Sequence, residues 1–218
     1  GWTNTPAAYG QARALANEAL RIDPDFVRAR AALAFVETQT GYFRLAENPQ
    51  GALEQALVTI QALVVNNPDD WYLQSVLAQA LLNLRDYTAA KDVFERAISM
   101  EPAHPNLMTS SALPLIFLGQ GEAAEVRLRT AMRLNPFHNW LPNQLLGQAL
   151  YLQKRYQEAA ASLAIAQEKN PRFIGNMWWR AATHGQLGNQ AEAEHAVAEI
   201  LERMPDAAIS RSFIQISD

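Results

Sequence analysis

Apolar residues recur along this chain at helical spacing, and the helical pattern itself recurs. Six prolines act as a ruler: Pro24, Pro68, Pro102, Pro136, Pro171 and Pro205, at intervals of 44, 34, 34, 35 and 34 residues. Twelve residues before each stands an alanine: Ala12, Ala56, Ala90, Ala124, Ala159 and Ala193. Eight before stand Ala16, Ile60, Phe94, Leu128, Leu163 and Val197, and five before stand Ala19, Leu63, Ala97, Ala131, Ala166 and Ile200. These offsets form an i, i+4, i+7 stripe, one face of an α-helix. The proline closes that helix, because it lacks the N–H needed for the ladder and restricts its predecessor.

A first helix precedes each of these. Leu77, Ala78 and Leu81 recur as Leu146, Gly147 and Leu150, a small residue between two leucines that lets helices approach. Short turns at Arg85-Asp86, Gly119-Gln120, Lys154-Arg155 and Gly188-Asn189 join first helix to second. The 44-residue interval carries ten extra residues, roughly 37–46, read as a longer first helix or turn, after which Asn48 caps and Pro49 opens the next helix. The 35-residue interval carries one extra residue near Phe137 to Asn139. Thr5-Pro6 has the same cap-then-proline form and predicts a lone opening helix. Pro114 and Pro142 are expected in the early parts of first helices, kinking or shortening them.

A period of about 34 residues, two helices per period and a closing proline resemble the tetratricopeptide repeat. The resemblance implies an all-α fold, an α-solenoid of helical hairpins in a right-handed superhelix. It divides the chain into a helix at 6–21, units at 27–68, 71–102, 105–136, 140–171 and 174–205, and a partial capping helix at 206–218. In that last segment Ile209, Phe213 and Ile216 share a helical face. Both ends read as cuts in a larger array or protein. The runs Ala131 to Leu163, Ala181 to Asp206 and Gly41 to Leu57 resemble, more specifically, the C-terminal repeat region of bacterial class III adenylate/guanylate cyclases. Similar regions follow winged-helix domains in some bacterial regulators. That resemblance implies a regulatory or protein-interaction appendage; no segment here matches a cyclase domain.

Composition narrows the chemistry. Among 218 residues there is no cysteine, so disulfides, thiolate zinc sites and cysteine nucleophiles are excluded. Charged residues make up 18% and the net charge is -4, which argues against nucleic acid or anionic membrane as partner. No apolar run approaches the ~20 residues of a membrane span, and the N-terminus has no basic segment leading an apolar core. A cytoplasmic location is expected. No phosphate-cradling loop or nucleophile elbow is present. His184 reads as a packed core histidine rather than a ligand, and Glu192, Glu194, Glu199 and Glu202 as a solvated face. No catalytic residue, cofactor or metal is expected.

The tetratricopeptide resemblance places first helices along a concave groove. Its inward positions give Arg28, Phe35, Tyr72, Gln79, Asn83, Asn106, Thr109, Phe117, Gln144, Gln148, Tyr151 and Trp178 as the candidate partner-binding set. The set is aromatic and amide-rich with one charge. It lacks the lysines of a carboxylate clamp. The Met177-Trp178-Trp179 run is the strongest hot-spot candidate, since large aromatics supply contact area at low entropy cost. The expected partner is a protein or peptide; a homodimer and a small ligand inside the superhelix are the alternatives.

Overall fold

The computed structural model describes residues 6–205. Eleven helices and no strands occur among them: α1 (Pro6–Ile22), α2 (Val27–Tyr42), α3 (Pro49–Asn66), α4 (Trp71–Asn83), α5 (Tyr87–Met100), α6 (Pro105–Phe117), α7 (Gly121–Leu134), α8 (Leu141–Leu152), α9 (Tyr156–Lys169), α10 (Ile174–Gln186) and α11 (Gln190–Arg203). The fold is all-α and built from hairpins: α2 pairs with α3, α4 with α5, α8 with α9 and α10 with α11. Within each unit a second helix also packs on the first helix of the next hairpin: α3 on α4 in the first, and α7 on α8 and α9 on α10 in the second. Two compact units result, residues 1–107 and 108–218, with the boundary inside α6. Thr5, expected to cap the opening helix, and the segment 206–218, expected as a partial capping helix, lie outside the described residues.

The periodic stripe is the core. Ala56, Ala90, Ala124 and Ala159 have no exposure at all, nor do Ile60, Leu128 and Leu163, and Phe94 has almost none. Each large side chain so buried contributes about 1.5–3 kcal/mol. In the first unit Ile60, Leu73, Leu77 and Phe94 gather one cluster; in the second Leu128, Leu145, Leu146 and Leu150 gather another. Small residues set how closely the helices approach. A Cβ built on Gly147 would lie 2.5 Å from Leu163 Cγ, and one on Gly121 would lie 2.7 Å from the Ala149 carbonyl oxygen.

Four hairpin turns share one backbone solution. Arg85, Gly119, Lys154 and Gly188 have φ of 67°, 71°, 61° and 73°. In each the next residue donates to a carbonyl five back: Asp86 to Leu81, Gln120 to Leu115, Arg155 to Leu150 and Asn189 to His184. The turn residue donates three back, as Arg85 does to Leu82. This is the Schellman arrangement, which satisfies the carbonyls left over at a helix end. The residue after the turn is at once the N-cap of the second helix, and Asp86 accepts from the Ala89 N–H there. Arg44, at φ 55°, makes the same turn after α2. There the chain runs on to Asn48, whose side chain accepts from Gly51 N with Pro49 in the first turn.

The ten extra residues of the long interval are distributed. Relative to the α4–α5 hairpin, α2 is longer by three residues, the turn by three and α3 by four. The single extra residue of the 35-residue interval falls in the α7–α8 connection, which runs over 135–140. Pro142 stands second in α8, where a missing N–H costs nothing. The expectation for Pro114 is corrected: it sits late in α6, tenth of thirteen residues, and the helix continues to Phe117. The proline there withholds one donor, from the carbonyl of Ser110, a partly exposed residue.

The glycine contacts predict opposite signs for two alanine substitutions. Gly121→Ala is expected to lose about 1–3 kcal/mol by overpacking against a backbone carbonyl that has little room to move. Gly10→Ala, at an α1 position with nothing within 4 Å, is expected to gain about 0.5–1 kcal/mol from helix propensity. Urea midpoints at unchanged slope measure both.

Candidate binding surfaces

In the first unit the expected inward positions of α2 and α4 meet at one place. Asp70 ends the α3–α4 connection, and its Oδ1 accepts from the Tyr72 and Leu73 N–H groups at 2.9 and 3.2 Å, capping α4. Its other oxygen lies 3.0 Å from Arg28 Nη2. The Arg28 guanidinium lies over the Tyr72 ring, 4.8 Å from its centroid. One carboxylate thus fixes a helix end and aims a cation at an aromatic face. The Arg28 side chain remains 45% exposed, so the pair itself contributes no more than about 1 kcal/mol and mainly sets orientation. Burial pushes the Tyr72 phenol up, with Arg28 opposing and Asp70 adding, so Tyr72 stays neutral near pH 7 and keeps its O–H. Beside this cluster lies an open depression of about 370 Å³ lined by Arg28, Asn67, Pro68, Asp69, Asp70 and Trp71. Trp71 stacks obliquely on His104, whose Nδ1 accepts from Leu107 N and caps α6.

The other candidates in this unit are engaged differently. Gln79 Nε2 donates to Asn83 Oδ1 at 3.1 Å, and Asn83 Nδ2 to the Thr38 carbonyl of α2 at 3.4 Å. These amides tie α4 to α2 while staying partly exposed. Phe35 packs half-buried against the unit's core, and Asn106 is exposed at the start of α6.

The second unit holds the remaining candidates. Gln144, Gln148 and Thr109 are buried, with exposures of 4%, 7% and 6%, whereas Phe117 is exposed. Tyr151 is half-buried in an edge-to-face trio with Tyr156 and Trp179, at centroid distances of 5.2 and 5.4 Å. Burial pushes the Tyr151 phenol up, Tyr156 adds, and a hydrogen bond with Gln186 opposes. Of the Met177-Trp178-Trp179 run, Met177 is fully buried and both tryptophans are partly exposed. His184 is half-buried rather than a core residue; its Nδ1 lies 3.4 Å from Asn189 Nδ2, and Thr183 takes the buried position beside it. Glu199 is bonded to Arg180 at 3.0 Å, while Glu192, Glu194 and Glu202 are exposed.

A charge network braces this unit. Glu125 on α7 pairs with Arg129 at 2.7 Å and Arg155 at 2.6 Å, and accepts from Gln153 Nε2 at 2.9 Å. Arg155 also meets Glu158 at 2.6 Å. Burial alone would raise the Glu125 carboxyl, but the hydrogen bonds from Gln153 and Arg129 and the two cationic charges outweigh it and hold it below the usual carboxylate range.

Sequence reasoning missed Asp70, Asn67 and Trp71 at the first cluster, and Tyr156 and the Glu125 network in the second unit. Asp70 had a readable signal, an aspartate directly before an apolar helical run. The pairing of Glu125 with a residue thirty positions away had none. Among the described residues no group of three or more histidine, aspartate or glutamate side chains is arranged to hold a metal ion. None of their helices is long and apolar enough to cross a membrane.

The tetratricopeptide repeat family model matches residues 73–104, from within α4 through α5 to the connection before α6. No curated protein matches the chain by sequence. Among solved structures, the chain is similar to human IFIT1, solved as a dimer with PPP-AAAA. The TM-score is 0.74 at 21% identity, covering 90% of this chain and 47% of that one. It is similar to MamA, residues 41 to the end, from Desulfovibrio magneticus RS-1: TM-score 0.62, 19% identity, covering 82% and 98%. It is similar also to YrrB, described as a TPR protein with an unusual peptide-binding site: TM-score 0.58, 17% identity, covering 88% and 93%. The fold is that of a tetratricopeptide array. The chain thus spans about half the length of IFIT1 and nearly all of the MamA and YrrB chains.

The depressed Glu125 pKa fixes a direction for acid sensitivity. The stabilisation is present above the unfolded carboxylate value and is lost as pH falls through the lower folded value. Between pH 7 and pH 3 the urea midpoint is expected to drop further in the native protein than in Glu125→Gln, which lacks the titrating group.

Proposed function

We propose that this chain is a protein- or peptide-binding module without catalytic activity, which recognises its partner through the first-helix surface of its hairpins. The observation that carries this reading is the Arg28–Tyr72 stack, held by Asp70 at the rim of an open depression in the first unit. It offers an aromatic face and a fork of donors already oriented, so a ligand meets little ordering cost there. The half-exposed Gln79 and Asn83 farther along α4 can pair with an extended backbone. YrrB, which shares the fold, is described as having a peptide-binding site, and this supports the same class of ligand here.

A phosphate-rich ligand such as the PPP-AAAA held by IFIT1 is not favoured. Arg28 is the one cation in the candidate set, Asp70 already neutralises it, and Asp69 adds negative charge beside it. The wider setting we propose is a regulatory region of a bacterial cyclase-like or winged-helix regulator acting in the cytoplasm. That setting is supported by the sequence runs at 41–57, 131–163 and 181–206.

Selection of peptides from a display library against the chain, followed by calorimetry, tests the site. Tyr72→Ala and Arg28→Ala are each expected to weaken the selected peptide at least tenfold, about 1.4 kcal/mol, with helicity unchanged. Unaltered affinity in both variants would remove this surface from consideration.

A further inference from the structure

Two carboxylates stand side by side at the depression in the first unit, and they are engaged unequally. Asp70 uses both oxygens, one on the N–H groups that open α4 and the other on Arg28. Asp69 is exposed and has no hydrogen-bond or ion-pair partner among the described residues. Each aspartate is followed two residues on by an aromatic ring, Tyr72 after Asp70 and Trp71 after Asp69. The Asp70–Tyr72 couple already holds a cation: the Arg28 guanidinium is bonded at 3.0 Å and seated over the ring at 4.8 Å. The Asp69–Trp71 couple lines the depression, and no cation among the described residues pairs with it. Its indole is held in place by His104, at a centroid distance of 4.6 Å, and by the edge of Tyr72 at 6.0 Å. Asn67, on the same lining, gives its Nδ2 to the Leu63 carbonyl at 3.0 Å, which leaves Oδ1 as an acceptor.

Charge at longer range has the same sign. Residues 1–107 carry eight Lys and Arg against twelve Asp and Glu, whereas 108–218 carry ten of each, so the whole net charge of -4 lies in the first unit. With Arg28 neutralised by Asp70, the unbalanced charge at the depression is that of Asp69. We infer that this depression takes a basic side chain of the partner peptide, arginine before lysine, with its charge against Asp69 and Asn67 Oδ1 and its flat or alkyl part against Trp71. The inference rests on the peptide-binding reading above and adds to it the sign of the ligand. Arginine is favoured because a planar, weakly hydrated guanidinium stacks on an indole and reaches two acceptors at once, which a compact ammonium does less well. Because Asp69 is exposed, the contact is modest in strength; it steers and selects among peptides rather than supplying most of the affinity.

Selection from a random peptide library on the native chain, followed by calorimetry on the leading peptide, tests this. The selected peptides are expected to share a Lys or Arg. Replacing that residue of the leading peptide by a neutral analogue, citrulline for arginine or norleucine for lysine, is expected to weaken binding about tenfold, and Asp69→Asn about fivefold. The two losses are expected not to add when combined, because both remove the same contact. Asp69 is exposed and precedes the capping Asp70, so far-UV helicity is expected to be unchanged. Peptides without a shared basic residue, affinity indifferent to Asp69→Asn, or losses that add in full each overturn the inference. If Tyr72→Ala still weakens those peptides, the peptide-binding reading stands without it. Recovery of no peptide from the library overturns both.

Discussion

Small residues stand where helices of this chain meet most tightly among the positions described. Ala56, Ala90, Ala124 and Ala159 have zero exposure, and Gly147 and Gly121 leave room only for the atoms already present. Everything else is fitted to that spacing. The large apolar side chains at the next positions of the stripe, Ile60, Phe94, Leu128 and Leu163, reach the gap between helices because the small residues have drawn the helices together. Removing the closeness would not empty one pocket; it would loosen a layer in each neighbouring hairpin.

The candidate surfaces are by-products of the same economy. A first helix commits one flank to its own partner and another to the neighbouring hairpin, so only a narrow strip is left for ligands. On α4 that strip holds Tyr72, Gln79 and Asn83, and even there the two amides are partly used in holding α4 to α2. Tyr72 differs because its ring is covered by a cation from the adjacent first helix rather than by packing. In the second unit Gln144 and Gln148 have been drawn inside, and Tyr151 has been taken up by Tyr156 and Trp179.

The periodic part of the fold was legible because it rests on spacing, and spacing is what a sequence displays. The prolines, the alanine offset and the turn pairs at Arg85-Asp86 and Lys154-Arg155 all translate directly into backbone. The candidate site was less legible, because a position counted as facing inward says nothing about what lies across from it. Counting placed Gln148 and Tyr72 in the same class, yet one is buried and the other is partly exposed beneath Arg28. Asp70 acts through a residue 42 positions earlier, and Glu125 through Arg155; such pairings depend on how hairpins stack, which periodicity does not encode.

The shared turn residue has a consequence for how this chain can vary. In the α4–α5, α8–α9 and α10–α11 hairpins the residue whose N–H closes the first helix also stands at the N-cap position of the second, and Asp86 caps there with its side chain. No spare residue stands between them. Composition at these corners is free enough to admit arginine and lysine where others have glycine, but their length is not. An insertion or deletion there would unseat two helix ends together. Between helices, extra length therefore stands where caps and closures are separate, as between Leu45 and Asn48 or along 135–140.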